Sequence, residues 1–194
     1  LMPAIDRWVL KHALGQIGEL KQRGLAVPVS INVSVQSLAD LSFVDSVREA
    51  LAQTGIEPAL LDIEIPEGAL MHDVTASAAV LAGLHELGVG ISIDDFGTGY
   101  SSFAYLARFP VQTLKIDRSF VTDMTTSETG RRIVEGLISL AHSLSMRVVA
   151  EGAETAEQLA MLQAMGCDEV QGYGYARPIP FDAFCEFART HRLS

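Results

Sequence analysis

Two adjacent carboxylates, Asp94 and Asp95, close the apolar run Val89 to Ile93 and are followed at once by Gly97 and Gly99 in the stretch DDFGTGYSS. That pattern predicts a buried strand ending in an acidic, tightly turned loop. Side chains alternate across a strand, so these neighbours can share one site only where strand gives way to loop, or where a metal bridges them. An Asp-rich turn can also be a helix N-cap or an Asx-turn, but the pair with its glycines and the following SS points to a site. Asn32, Glu64, Lys115, Glu151 and Gln171 each fall at the C-terminal end of a different predicted strand.

Together these residues make a hard, all-oxygen ligand set suited to Mg²⁺ or Mn²⁺, with one cation among them. Four carboxylates converging without cations would repel, so metal or raised pKa values are required. Two divalent ions roughly 3.5 to 4 Å apart would bridge an attacking water and a phosphodiester oxygen. Lys115 could stabilise the nucleophile or the charge developing on phosphorus, with Glu151 as general base or second metal ligand. The plainer alternative is a buried salt bridge, with Lys115 paired to Asp95 or Glu151.

The elements that must position these residues alternate along the chain. Helical spacing covers Pro3 to Lys21, Ser42 to Gln53, Val74 to Leu87, Ser101 to Arg108, Glu128 to Leu144, Thr155 to Met165 and Phe181 to Thr190. In the first helix the apolar positions are Ile5, Trp8, Val9, Leu14, Ile17 and Leu20; in the sixth, Thr155 and Gln158 stand in capping-box positions. Strand patterns cover Pro28 to Val33, Leu60 to Ile65, the run before Asp94, Thr113 to Ile116, Arg147 to Ala150 and Asp168 to Gln171. Short connections in such an alternation predict a parallel sheet with right-handed crossovers. A doubly wound sheet gathers its site at one switch point, whereas a barrel collects a residue from nearly every strand end. The polar strand ends therefore predict a TIM-like (β/α)8 barrel. Six strands are counted where a barrel needs about eight, so an N-terminal β/α portion is expected to be missing.

Composition narrows the function classes. The chain has 194 residues, 48% hydrophobic and 20% charged, with a formal net charge of −10, and is expected to form one domain over residues 1–194. A nucleic-acid polymer is an unfavourable partner for so acidic a surface. No apolar run reaches the roughly 18 residues of a membrane span, and Cys167 and Cys185 lack metal-ligand spacing, so a cytoplasmic setting is expected. His12, His72, His85, His142 and His191 read as surface or packing residues rather than zinc ligands.

The segments SINVSVQSL, IEIPE, IDDFGTGYSSFAYLARFPVQTLKIDRSFV, VVAEGAET and QGYGYARPIP run through nearly the whole chain. In that order they resemble the EAL domain family, bacterial phosphodiesterases acting on cyclic di-GMP. The resemblance implies metal-dependent hydrolysis of cyclic di-GMP to linear 5′-pGpG. It implies that Asn32, Glu64 and Asp94 ligate a first divalent ion and Asp95 a second, as Mg²⁺ or Mn²⁺. Lys115 is implied to contact the attacking water, and Glu151 to act as general base or metal partner. Gln171 is implied at the metal and water cluster, and Glu67 as anchor of the loop after the Asp pair. That loop also implies a homodimer, coupled to regulatory domains in a parent protein that can be membrane-anchored. The Glu-Ala-Leu signature and a substrate-gripping arginine are expected upstream of Leu1, and Pro66 stands where the family usually has Thr. Two other readings stand beside it. One is an inactive module that binds cyclic di-GMP as a receptor; the other is an enolase-like lyase, which needs a Lys or His base opposite its metals.

Overall fold

A computed structural model describes residues 2–99, 106 and 108–191. Two compact units divide them: residues 2–65, 69–91 and 178–191 belong to the first, and residues 66–68, 92–99, 106 and 108–177 to the second.

In the first unit, helix α1 (Met2–Gln22) is followed by strand β1 (Val29–Asn32), short helix α2 (Val35–Leu38) and α3 (Ser42–Thr54). A 3₁₀ turn at Pro58–Leu60 leads into β2 (Leu61–Pro66), and α5 (Val74–Leu87) comes after the brief α4 (Glu67–Leu70). The β1–β2 ladder is parallel, with Ile31 opposite Ile63 and Asn32 opposite Glu64. Helices stop where the backbone demands it: Gly55 and Gly88 cap α3 and α5 in the left-handed region, at φ 65° and 82°. Asp73 starts α5 by accepting a hydrogen bond from Ala76 N at 3.0 Å. The last helix, α9 (Phe181–Thr190), belongs to this unit. Its Cys185 and Ala188 are buried with Leu20 and Leu25, and Phe181 and Phe184 pack against that cluster.

The face of α1 differs from the sequence reading. Ile5 and Trp8 are 43% and 64% exposed, while Asp6, Leu10, Ala13, Leu14, Ile17 and Leu20 are buried. Asp6 takes the inward position because its Oδ2 accepts hydrogen bonds from Ser34 N, Ser34 Oγ and Ser37 Oγ at 3.1, 2.5 and 2.7 Å. A carboxylate so satisfied can occupy a place that hydrophobicity alone would give to Trp8.

The second unit is built on β3 (Gly90–Phe96), which it shares with the first unit at Gly90 and Ile91, then β4 (Thr113–Ile116), β5 (Arg147–Glu151) and β6 (Glu169–Gln171). These four pair in chain order, every ladder parallel. Order without reversal fits the barrel expectation and leaves no switch point of the doubly wound kind. Helices α6 (Arg118–Asp123), α7 (Glu128–Ser143) and α8 (Ala156–Ala164) make the crossovers. The expected capping box is formed: Thr155 Oγ1 accepts from Gln158 N, and the Gln158 side chain returns to the Thr155 backbone. Helix α6 was not visible as a periodic pattern. The helix expected at 101–108 lies largely outside the described residues.

Strand β6 starts one residue later than expected because Asp168 is spent as a side-chain acceptor. Its Oδ2 takes hydrogen bonds from His142 Nε2 at 2.9 Å and Val148 N at 2.8 Å, tying α7 to β5. The His142 contact above all, with help from the Val148 amide, holds the Asp168 carboxyl below its ordinary value against the opposing effect of burial. A carboxyl depressed in the folded state contributes stability above its unfolded pKa of about 3.9, and that contribution is lost as pH falls through the folded value. Urea midpoints of the protein and of Asp168→Asn are therefore expected to differ near neutral pH and to converge below about pH 4. A constant gap across that range would contradict the assignment.

Among the described residues, no helix is long and apolar enough to cross a membrane.

Candidate metal and phosphodiester site

The problem posed by two neighbouring carboxylates on a strand is solved by a bulge. The β3–β4 ladder pairs Ile93 with Leu114 and next pairs Phe96 with Ile116, so Asp94 and Asp95 together stand opposite the single residue Lys115. Asp95 absorbs the extra residue by adopting φ 53°, a left-handed conformation that Asp tolerates better than most side chains. One oxygen each of Asp94, Asp95 and Glu151 then lie within 4.8 Å of one another.

Lys115 is the counter-charge. It is buried, at 4% exposure, because it rises from a strand whose four residues are all buried. Its Nζ lies 2.6 Å from Glu151 Oε1 and 3.3 Å from Asp94 Oδ1. The expected pairing with Glu151 is present, and the second carboxylate is Asp94 rather than Asp95. Asp94 Oδ1 is buried and, although within ion-pair distance of the ammonium, accepts no hydrogen bond of proper geometry among the described residues. The Asp95 carboxyl is pushed up, first by partial desolvation and then by the Asp94 and Asp117 charges, with Lys115 opposing. One ammonium thus faces three carboxylates, and a buried anionic oxygen is left without a hydrogen bond. That donor set fits a hard divalent cation such as Mg²⁺ or Mn²⁺, which would supply the missing positive charge.

The start of the loop after the pair is held by a buried carboxylate. Glu67 is 3% exposed, and its Oε2 accepts from Gly97 N at 2.8 Å and Gly99 N at 3.0 Å. Gly97 has φ 98°, and a β-carbon there would sit 2.6 Å from a ring carbon of Phe120, so only glycine fits. Residues 100–105 and 107 lie outside the described residues.

Gln171 ends β6 directly opposite Glu151 in the ladder and is exposed. The chain after it is laid against the loop after β5: Ala153 N donates to Gln171 O at 3.3 Å and Gly174 N to Ala153 O at 2.9 Å. A β-carbon on Gly172 would lie 2.2 Å from Ala153 O, a backbone atom that cannot step aside. Gly172→Ala is expected to lower stability by about 2 kcal/mol, the usual cost of overpacking, and a melting temperature equal to the parent's would refute the contact.

In the first unit, Asn32 and Glu64 share a register position, and Asn32 Nδ2 donates to Glu64 Oε2 at 3.3 Å. Glu64 is 9% exposed. The sequence reading overlooked Asp117, whose charge reaches Asp95 and whose Oδ1 accepts from Ser119 N at 3.0 Å to cap α6. An Asp directly after a strand and before a short helix is an N-cap signal that could have found it.

The EAL domain family model matches residues 1–178. The chain belongs to the EAL domain family. It is 43% identical over all 194 residues to the cyclic di-GMP phosphodiesterase NbdA of Pseudomonas aeruginosa, covering 25% of that protein. The chain therefore spans about a quarter of the length of this curated relative. Among solved structures, the phosphodiesterase PaMucR in its cyclic di-GMP complex superposes with a TM-score of 0.90 at 40% identity, over 95% of this chain and 75% of that one. The EAL domain of Mycobacterium smegmatis DcpA gives a TM-score of 0.93 at 34% identity, over 98% and 86%. The fold is thus α/β with parallel strands, of the TIM-like EAL type.

Proposed function

We propose that this EAL chain hydrolyses cyclic di-GMP to linear 5′-pGpG in bacterial second-messenger signalling, using two divalent ions, Mg²⁺ or Mn²⁺. The observation that carries this reading is the bulge-made cluster of Asp94, Asp95 and Glu151 around buried Lys115. The family match and the cyclic di-GMP phosphodiesterases among its relatives support it. Asp94 and Asp95 are the proposed metal-holding groups of the second unit, with Glu151 beside them as the proposed general base. For Asn32 and Glu64 the ligand role, and for Gln171 the water contact, rest on the resemblance alone.

When bound, the divalent ions supply Lewis-acid polarisation of the phosphate and lower the pKa of a water. The chain's own residues do the rest. Glu151 accepts the proton that the attacking water loses, and Lys115 holds that carboxylate by its 2.6 Å contact. Lys115 also places its charge where negative charge builds on the phosphoryl oxygens. The water oxygen bonds to phosphorus as the P–O3′ bond breaks, and the leaving O3′ takes up a proton, giving one 5′-phosphate and one 3′-hydroxyl. Glu67 fixes the loop beside Asp95 through its two glycine amides. A homodimer coupled through that loop to regulatory domains belongs to the same proposal, and a strictly monomeric species in light scattering would count against it.

The test is product analysis in ¹⁸O-water with Mn²⁺. One ¹⁸O in the 5′-phosphate of pGpG is expected. Tight binding of cyclic di-GMP with no product would instead favour the receptor reading.

A further inference from the structure

The loop that carries Glu151 is tied to the helix that follows Lys115 by contacts the strand ends do not provide. Gln158, 7% exposed, accepts at Oε1 from Glu154 N at 2.7 Å and Thr155 N at 3.0 Å. A capping box needs no more from it than that. Yet Gln158 Nε2 also donates, at 3.3 Å, to Val121 O in α6, a bond that spans 37 residues of sequence. Arg118, the first residue of α6, adds a second tie. Its Nη2 lies 2.8 Å from Glu154 Oε1, and its stem crosses Gly152 so closely that a β-carbon there would be 2.3 Å from Arg118 Cγ. Gly152 accommodates this at φ 70°. Thus the segment from Gly152 to Thr155 is clamped onto α6, which begins three residues after Lys115.

We propose that Gln158 is a positioning residue for the phosphodiesterase reaction, acting through the 152–155 loop to fix Glu151 against Lys115 and the Asp pair. Its hydrogen bonds go to the 154–155 backbone, the Thr155 hydroxyl and Val121 O, so it works by joining the loop to α6. Helix capping alone would require an acceptor at this position; holding the site requires the donor as well. The inference rests on the hydrolase reading above.

The two demands separate by substitution in the full chain. Gln158→Glu keeps the acceptor for Glu154 N and Thr155 N and removes the donor to Val121 O. Ser127→Ala, which removes the α7 cap to Gly130 N, serves as a variant that loses stability without breaking either tie between the loop and α6. Gln158→Glu, which sets a carboxylate against the Val121 carbonyl, is expected to melt earlier by no more than Ser127→Ala does, while kcat falls about 10-fold and KM stays within about two-fold. Ser127→Ala is expected to melt earlier with kcat unchanged. Mn²⁺ binding, read by titration calorimetry without substrate, is expected to weaken several-fold in Gln158→Glu only. Parental kcat and parental Mn²⁺ affinity in Gln158→Glu would overturn the inference, as would losses that merely track melting temperature across both variants. A parent that binds Mn²⁺ but never cleaves cyclic di-GMP would sink the hydrolase reading and leave the calorimetric comparison to decide on Gln158. A parent that binds no Mn²⁺ would overturn both.

Discussion

Lys115→Met is expected to cost the metal-free protein about 3 kcal/mol of stability, near the lower end of what breaking a buried ion pair costs. Methionine matches the buried stem of the lysine in length, so packing is largely kept and the loss isolates the charge. The carboxylates left behind, Asp94 and Glu151, have side chains only 15% and 17% exposed and lose the ammonium that faces both. Adding Mn²⁺ is expected to restore part of that stability, because an ion that binds only the folded state stabilises it by mass action. Activity moves separately: with no ammonium beside the reacting phosphate, kcat is expected to fall about 10² to 10³-fold. Chemical denaturation with and without Mn²⁺ reads the first effect. Equal metal-free stability of variant and parent would mean that Lys115 is not compensating the carboxylates.

Asp95→Asn is expected to have effects of opposite sign on stability and catalysis. Its carboxyl is pushed up by desolvation and by the Asp94 and Asp117 charges, so the folded state holds that charge at a greater cost than the unfolded chain does, and neutralising it relieves the fold. Asparagine suits the left-handed φ of 53° at least as well as aspartate, so the bulge survives. Removing this proposed metal-holding carboxylate is nevertheless expected to lower kcat/KM by about 10³-fold, several kcal/mol of lost charge stabilisation. A variant that melts higher and no longer turns over is the signature of a site kept at the expense of stability. Lower stability together with parental turnover would contradict both halves. Titration of stability with Mn²⁺ adds a check, since the gain on adding metal is expected to shrink in Asp95→Asn.

Much of this was legible in the residues because strand ends carry their chemistry in sequence. Asn32 and Glu64, and Glu151 and Gln171, are read from the ends of short β-branched or apolar runs, and the ladders place each pair in register. The capping box at Thr155 and Gln158 is a local pattern, and local patterns need no tertiary information. What sequence could not reveal is how Asp94 and Asp95 come together. The bulge opposite Lys115 depends on the ladder with β4, nearly twenty residues downstream, and a period-two reading has no place for an extra residue. The inward face of α1 was misread for a related reason. Asp6 is buried by three donors from Ser34 and Ser37, partners that lie a whole strand away in the chain. The donor half of Gln158 was equally hidden, since Val121 is far from it in sequence and close only once α6 and α8 have formed.

The most direct measurement is the rate of cyclic di-GMP hydrolysis by the full chain with Mn²⁺, set against Glu151→Gln under identical conditions. Glutamine keeps the shape of Glu151 and removes the charge that holds Lys115 and that is proposed to take up the proton. The account predicts pGpG formation by the parent and a rate lower by about 10² to 10⁴-fold in the variant, with the variant still folded. Hydrolysis by Glu151→Gln at the parental rate would contradict the central claim, because the cluster around Lys115 would then not be where the phosphodiester is cut.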